Sequence, residues 1–280
     1  MNKLTLYLVA TPIGNLNDIT PRALEILRDA DFIAAEDTRH TLKLLNHFDI
    51  KKPMVSYFEH NKREKGEYIV NRIENGETCA LVTDAGTPAI SDPGEDIVKL
   101  CAEKNIDVVP IPGACAFVQA LIVSGLPTGR FSFEGFLSVN KPARRAHLDE
   151  IKEDKRTLIF YEAPHKLKAT LKDLLSYMGN RKIAIVKELT KIHESVFRTD
   201  LETANKYFEE NQPKGEYVLV LEGYTPIKEE KHFTDEDIIE KVNLLIDSGI
   251  DKKSAIKEVS AELKLPKRHV YDLMISNKED

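Results

Sequence analysis

The chain has 280 residues, of which 42% are hydrophobic and 31% charged, enough to bury a substantial core and long enough for two domains. Its net charge of −6 argues against a protein that grips nucleic acid all over its surface, but leaves room for a local basic patch. Neither a bilayer-spanning apolar run nor a signal-peptide pattern is expected. The three cysteines, Cys79, Cys101 and Cys115, sit in apolar patterns and read as reduced packing residues of a cytoplasmic protein. The eight histidines are scattered without ligand spacing, so no metal site is expected.

Up to about residue 125, short apolar runs alternate with amphipathic stretches. "LTLYLVA" precedes "TPRALEILRDA", where Thr20-Pro21 starts a helix, and "DFIAAED" precedes "TRHTLKLLNHF". "PMVSYF" precedes "KREKGEYIVNRIENG", which Gly76 ends. "TCALVTD" and "DVVPIPG" then each lead into a helix, the second opened by Gly113-Ala114. This βαβα alternation predicts a mainly parallel sheet covered on both faces. After the Gly/Pro-marked "SGLPTGR", a denser set of strands predicts a mixed sheet: "FSFEGFL", "RTLIFYEA", "KIAIVKEL", "ESVFRT" and "GEYVLVLEG", with a helix over "HKLKATLKDLLSYMG". From Thr225 onward three helices are expected, the last two joined as in a helix-turn-helix. That tail holds 10 Lys/Arg against 13 Asp/Glu, which argues for an accessory domain over a DNA-binding module. The expected domains are 1–125, 126–224 and 225–280.

The segment "TDAGTPAISDPG" (83–94) is too long for a plain βα connection, and such loops at strand carboxyl ends are where open α/β sheets bind ligands. Its last residues read as an Asp92 N-cap with Pro93 in the first turn. "ATPIGNL" (10–16) and "VVPIPGACA" (108–116) are loops of the same kind, and their small residues let the backbone reach a ligand directly. The first has one glycine and no lysine, so it is neither a dinucleotide fingerprint nor a phosphate loop of the Walker type. A nucleoside held by backbone contacts suits these loops better than a triphosphate. In "AAEDTRHT", Glu36, Asp37, Arg39 and His40 follow a strand abruptly; either Asp37 caps the next helix while Glu36 pairs with Arg39, or the group is functional. "FEHNKREK" supplies His60, Lys62 and Arg63, and "YEAPHKL" supplies Glu162 and His165. "KELTKIHE" contributes Glu188 and Lys191, and "KPARRAH" contributes Arg144 and Arg145. These residues alone point to a nucleoside-type ligand with a polyanion nearby, without fixing a reaction.

In this order along residues 5–223, "TPIGNLNDIT", "AEDTR", "HN", "VTDAGTPAISDPG", "PIPGACA", "YEAPHKL" and "KELTKIHE" resemble the ribosomal RNA small-subunit methyltransferase I family. That family is a branch of the tetrapyrrole (corrin/porphyrin) methylases, and the tail resembles the helix-turn-helix segment of many members. The resemblance implies two α/β domains with a small helical C-terminal domain and a homodimer. It also implies S-adenosylmethionine in the cleft between the domains, and 2′-O-methylation of a cytidine in small-subunit ribosomal RNA, with neither DNA nor membrane as partner. Matching positions assign Pro12, Thr83, Asp84, Ala85, Gly86, Ile90, Ser91, Gly113, Ala114, Cys115, Tyr161, Gly215 and Glu216 to the cofactor, with Asp84 near its polar groups. A ribose hydroxyl needs help in losing its proton, and the candidate bases are Asp37, His60, Glu162 and Glu188. Candidate phosphate contacts are Arg39, Lys62, Arg63, Arg144, Arg145 and Lys191. Two rivals stand beside this reading. A tetrapyrrole C-methyltransferase is disfavoured by the missing Gly-rich first loop and by "EDTR". A non-enzymatic RNA- or partner-binding protein would leave the crevice without a use.

Overall fold

A computed structural model describes residues 4–226 and 233–276. Contacts divide the chain into two units, residues 1–225 and 226–280.

The first unit begins with a parallel sheet. Its strands are β1 (Thr5–Val9), β2 (Phe32–Ala35), β3 (Met54–Ser56), β4 (Cys79–Val82) and β5 (Asp107–Ile111), in spatial order β3-β2-β4-β1-β5. The helices between them are α1 (Pro21–Asp29), α2 (Thr38–His47), α3 (Lys62–Glu74) and α4 (Glu95–Glu103). Near-continuous apolar strands suit a sheet buried on both faces. In β4, Cys79 and Leu81 pack with Ile69, Ile73 and Ile97 of α3 and α4. Ala80 and Val82 pack on the other face with Leu27 and Leu45 of α1 and α2. The chain therefore leaves β1 toward one face and the adjacent β4 toward the other. This divergence opens a crevice at their carboxyl ends, the position where doubly wound sheets take ligands.

The start of α4 departs from expectation. Its N-cap is Gly94, with φ +159°, and no side chain caps it. Asp92 lies two residues earlier in the preceding loop, and its carboxyl lines a cleft instead of a helix end. Acidic Glu95 and Asp96 occupy the first turn, so the helix dipole is compensated without Asp92. The helix after β5 likewise starts later than expected: α5 runs Ala116–Val123 with Cys115 as N-cap.

The second sheet contains β6 (Phe131–Phe136), β7 (Thr157–Glu162), β8 (Lys182–Lys187), β9 (Ser195–Asp200) and β10 (Tyr217–Leu221), in order β6-β7-β10-β8-β9. Only β6 and β7 pair in parallel; the other three pairings are antiparallel. One face is covered by α6 (Lys141–Ile151), α7 (Pro164–Met178) and α8 (Leu201–Glu210), through Leu148, Leu167, Leu171, Leu201 and Ala204. The sequence patterns gave no expectation of α8. It begins where Asp200 accepts from the Thr203 amide, so the same aspartate ends β9 and caps the helix. Ala120 and Leu121 of α5 cover the opposite face, against Ile159, Ala184, Val186 and Val218.

The second unit is a three-helix cluster of α9 (Asp235–Asp247), α10 (Lys252–Leu263) and α11 (Lys267–Ser276). Thr234 and Asp237 form a reciprocal capping box at its start, and Ile238, Val242, Ile256, Val259 and Val270 form its core.

Candidate active site

Three loops at the carboxyl edge of the parallel sheet are stitched to one another. The Thr11 amide donates to the Gly86 carbonyl at 2.9 Å, and the Gly86 amide returns a bond to Thr11 at 3.0 Å. The Thr11 hydroxyl reaches the Thr83 carbonyl at 3.3 Å, and the Thr87 hydroxyl reaches the Ala114 carbonyl at 3.0 Å. Such contacts require backbones without bulk between them. Gly86 has φ +84°, and a Cβ there would stand 3.3 Å from Ile13 Cγ2; one on Gly113 would stand 2.8 Å from the Ala10 Cβ.

These loops form one wall of a cleft of about 550 Å³, whose opposite wall comes from the second sheet. Ile13, Gly86, Ile90, Asp92 and Cys115 face Phe136, Tyr161, His165, Glu188, Leu189 and Val218. Gly14 supplies the close approach between the walls, where a Cβ would fall 2.5 Å from Lys191 Cγ. The lone glycine of "TPIGNL" thus serves interlayer packing. The Tyr161 hydroxyl accepts from the Phe117 amide at 3.2 Å, near the N-terminus of α5, and burial holds its pKa well above the usual phenol value. Several residues in the loops around the cleft adopt left-handed backbone without being glycine: Ser91 and Glu188, which line it, and Ala89 and Thr190 two residues from them, with φ between +52° and +65°.

Of the residues expected at a cofactor, Ala85, Gly86, Ile90, Ser91, Cys115, Tyr161 and Glu216 line this cleft. Thr83, Gly113, Ala114 and Gly215 lie within or beside the same loops; a Cβ on Gly215 would come 2.6 Å from the Glu188 carboxyl carbon. Pro12 and Asp84 are elsewhere. They line a separate hollow of about 190 Å³ with Leu16, His40, Lys43 and Leu44. Asp84 accepts from the Asp37 amide at 3.2 Å, and its own amide donates to Glu36 at 3.3 Å, which turns its carboxylate toward the α2 side of the loop.

Each of the four expected bases is committed or remote. Asp37 caps α2 by accepting from the Arg39 amide at 2.8 Å. It also takes both a 3.1 Å and a 2.7 Å bond from the Arg39 guanidinium, which hold it far below the ordinary carboxylate range. The expected Glu36–Arg39 pair is absent, because Glu36 points inward to Asp84. His60 is exposed, in the turn before α3. Glu162 is buried and accepts from the Ala163 amide at 2.8 Å and from the Thr170 hydroxyl. Arg144 locks that threonine in turn at 2.9 Å. Glu188 accepts from the Glu216 amide at 2.8 Å and from Lys191 at 3.0 Å, and the first of these does most to lower its pKa.

The expected cations divide similarly. Arg144 is an internal strut, 2.6 Å from Asp173, and Lys191 is held by Glu188 and Glu216 at 3.0 and 2.7 Å. Lys62 bridges Glu59 and Asp96, both at 2.8 Å. The Arg39 side chain is 88% exposed despite its bond to Asp37, and Arg63 and Arg145 are exposed.

Sequence reasoning missed Asp92. It lines the cleft half-buried, and burial followed by the charges of Glu36 and Asp84 pushes its pKa up to about 6. Desolvation likewise raises Glu36. The Asp-Pro pair resembled an ordinary helix start, so the only signal was the loop's excess length. Phe136 was missed as well, because it lies in the cleft only through the pairing of the second sheet, whereas His165 of "YEAPHKL" does line the cleft.

The chain is of the tetrapyrrole methylase class. Residues 5–205 match the family model of the Tetrapyrrole (Corrin/Porphyrin) Methylases. Solved structures agree in fold: a cobalt precorrin-4 methyltransferase superposes with TM-score 0.59 at 17% identity, over 78% of this chain and 94% of that one. A uroporphyrin-III C-methyltransferase from Thermus thermophilus, complexed with S-adenosyl homocysteine, gives 0.54 at 18% identity, over 78% and 97%. Sequence relatives are much nearer. Ribosomal RNA small subunit methyltransferase I of Synechocystis sp. is 49% identical over 98% of this chain and 99% of the relative, and that of Halalkalibacterium halodurans is 50% identical over 97% and 95%. The chain belongs to the ribosomal RNA small subunit methyltransferase I family.

Proposed function

We propose that the protein transfers the methyl group of S-adenosylmethionine to the 2′-hydroxyl of a cytidine in small-subunit ribosomal RNA. The carrying observation is the 550 Å³ cleft, in a chain half identical to ribosomal RNA methyltransferases over nearly its whole length. The volume lies within the range of small-ligand sites, and the lining is mostly apolar with a few polar groups, as a nucleoside cofactor requires. Gly86 fits the same ligand, since its bare backbone forms part of the wall. The backbone of 85–87 and 115–116 would hold the cofactor's polar groups, and Ile13, Ile90, Tyr161 and Val218 its apolar surface. The bound sulfonium supplies an electrophilic methyl group.

The chain's own part is to position the acceptor oxygen and remove its proton. Alignment supplies much of the acceleration in an in-line displacement. Asp92 lines the cleft with its pKa raised by burial and is not tied to a cation. We assign its carboxylate the acceptor proton, a role its raised pKa suits near neutral pH. Glu162 and Glu188 instead shape the wall. Phosphates would meet the exposed guanidiniums of Arg39, Arg63 and Arg145. A homodimer in the cytoplasm completes the reading. Val118, Ile122, Phe131, Phe136 and Val139 are exposed apolar side chains on and around α5 and β6, the kind of surface a second copy covers.

The experiment is methyl transfer from labelled S-adenosylmethionine to small ribosomal subunits and, separately, to a precorrin. The expected product is RNA resistant to alkaline cleavage at a single position, because methylation blocks the 2′-oxygen. Base methylation, or activity on the precorrin alone, would overturn the reading.

A further inference from the structure

The small hollow beside the cleft has no part in cofactor binding as described above. Its wall toward the cleft is the bridged pair of segments 11–13 and 84–86. Thr11, Pro12 and Asp84 line the hollow, while Ile13, Ala85 and Gly86 line the cleft. Asp92 lines the cleft and not the hollow, and its pKa is raised by burial and then by the charges of Glu36 and Asp84.

We propose that this hollow holds the base of the acceptor nucleotide and that Asp84 reads it as cytosine; the inference rests on the function proposed above. Leu16, Leu44 and Pro12 offer apolar surfaces to a planar ring, and about 190 Å³ suits one heterocycle. Among the described residues, Asp84 is the only carboxylate lining it. One of its oxygens takes the Asp37 amide, which fixes the carboxylate's orientation. A carboxylate accepts from the exocyclic amino group of cytosine and opposes the O4 acceptor of uracil. Lys43 at the rim places positive charge where the nucleotide's phosphate would pass, with the His40 ring beside it. The base then lies on one side of the wall and the cofactor on the other, with the ribose between them.

The test compares the wild-type protein with Asp84→Asn and Leu16→Trp. Each is assayed on small-subunit RNA carrying either C or U at the position the wild type methylates, with cofactor affinity measured separately by calorimetry. Asn presents both an amide donor and a carbonyl acceptor, so Asp84→Asn should slow turnover on C and narrow the C-to-U preference about tenfold or more. Leu16 is 40% exposed, so Trp is tolerated there while filling the hollow. That variant should lose RNA turnover yet bind cofactor as the wild type does. The proposal is overturned by an unchanged C-to-U ratio in Asp84→Asn, or by full turnover in Leu16→Trp. Loss of cofactor binding in Asp84→Asn also overturns it, by returning the carboxylate to the cofactor. Absence of RNA methylation by the wild type would instead overturn the underlying function.

Discussion

Gly14 and Lys191 meet across the cleft, so closely that a single methyl group on Gly14 would lie 2.5 Å from Lys191 Cγ. Lys191 cannot swing aside freely, because Glu188 and Glu216 both hold its ammonium. Gly14→Ala is therefore expected to push the 188–191 loop outward. An overpacking cost of about 1–3 kcal/mol should appear in denaturant unfolding. Calorimetry should show cofactor affinity falling, and Lys191→Ala in the same chain should restore part of both. Additive effects of the two substitutions would show that they do not touch.

Gly86→Val tests the other wall. Its φ of +84° is strained for a β-branched residue, at about 1–3 kcal/mol, and the new side chain would press on Ile13. Cofactor binding should drop well beyond what the stability loss accounts for. Wild-type affinity in this variant would remove the 84–87 loop from the site.

Arginine substitutions should sort by what they touch. Arg144→Ala removes bonds to Asp173 and Thr170 and is expected to destabilise the fold by roughly 1.5–3 kcal/mol. Arg63→Ala and Arg145→Ala should stay within about 0.5 kcal/mol of wild-type stability. Each should flatten the salt dependence of RNA binding by roughly one unit of slope. Thermal melts and binding isotherms at several salt concentrations separate the two groups.

Asp92 gives stability a pH signature. Its pKa is raised from 3.8 to about 6 on folding, so between those values the folded state binds the extra proton. Stability from this group is greatest below about pH 4, declines through the window, and is lowest above about pH 6. Asp92→Asn should remove that decline and be relatively more stable at pH 8 than at pH 4, while methyl transfer collapses. Parallel melting curves against pH for the two proteins check the sign. Retained turnover in the variant would exclude Asp92 as the proton acceptor.

The helical unit has its own core and capping box, so a chain ending at Tyr224 should still bind cofactor and form the proposed homodimer. Calorimetry and light scattering read the two properties. A monomer would place residues 225–280 in the dimer contact.

Strand and helix order was legible wherever apolar periodicity was strong, as in "CALV" and "YVLVL", both buried along their full length. The three ligand loops were legible from small residues in long βα connections. What stayed hidden was direction. Glu162 and Glu188 carry the right chemistry at strand ends, but neighbours further along the chain consume it: Thr170 and the Arg144 behind it for Glu162, the Glu216 amide for Glu188. Asp37 is consumed locally, by Arg39 two residues on. Asp92 was hidden for the opposite reason, because a local pattern explained it too well. Only tertiary placement decides which carboxylate is free.

The left-handed residues along the cleft bear on how such a protein could be made to survive heat. Of seven non-glycine residues with positive φ among the described residues, four (Ala89, Ser91, Glu188 and Thr190) flank the cleft. Each stores about 1–2 kcal/mol relative to a relaxed backbone. Glycine at Ala89, Ser91 or Thr190 would release that strain, offset in part by a floppier unfolded chain. A laboratory selection for higher melting temperature would find these positions early, and would be choosing slacker walls around the reaction. Selection for turnover would keep them taut, so heat resistance and catalytic speed should pull this loop pair in opposite directions.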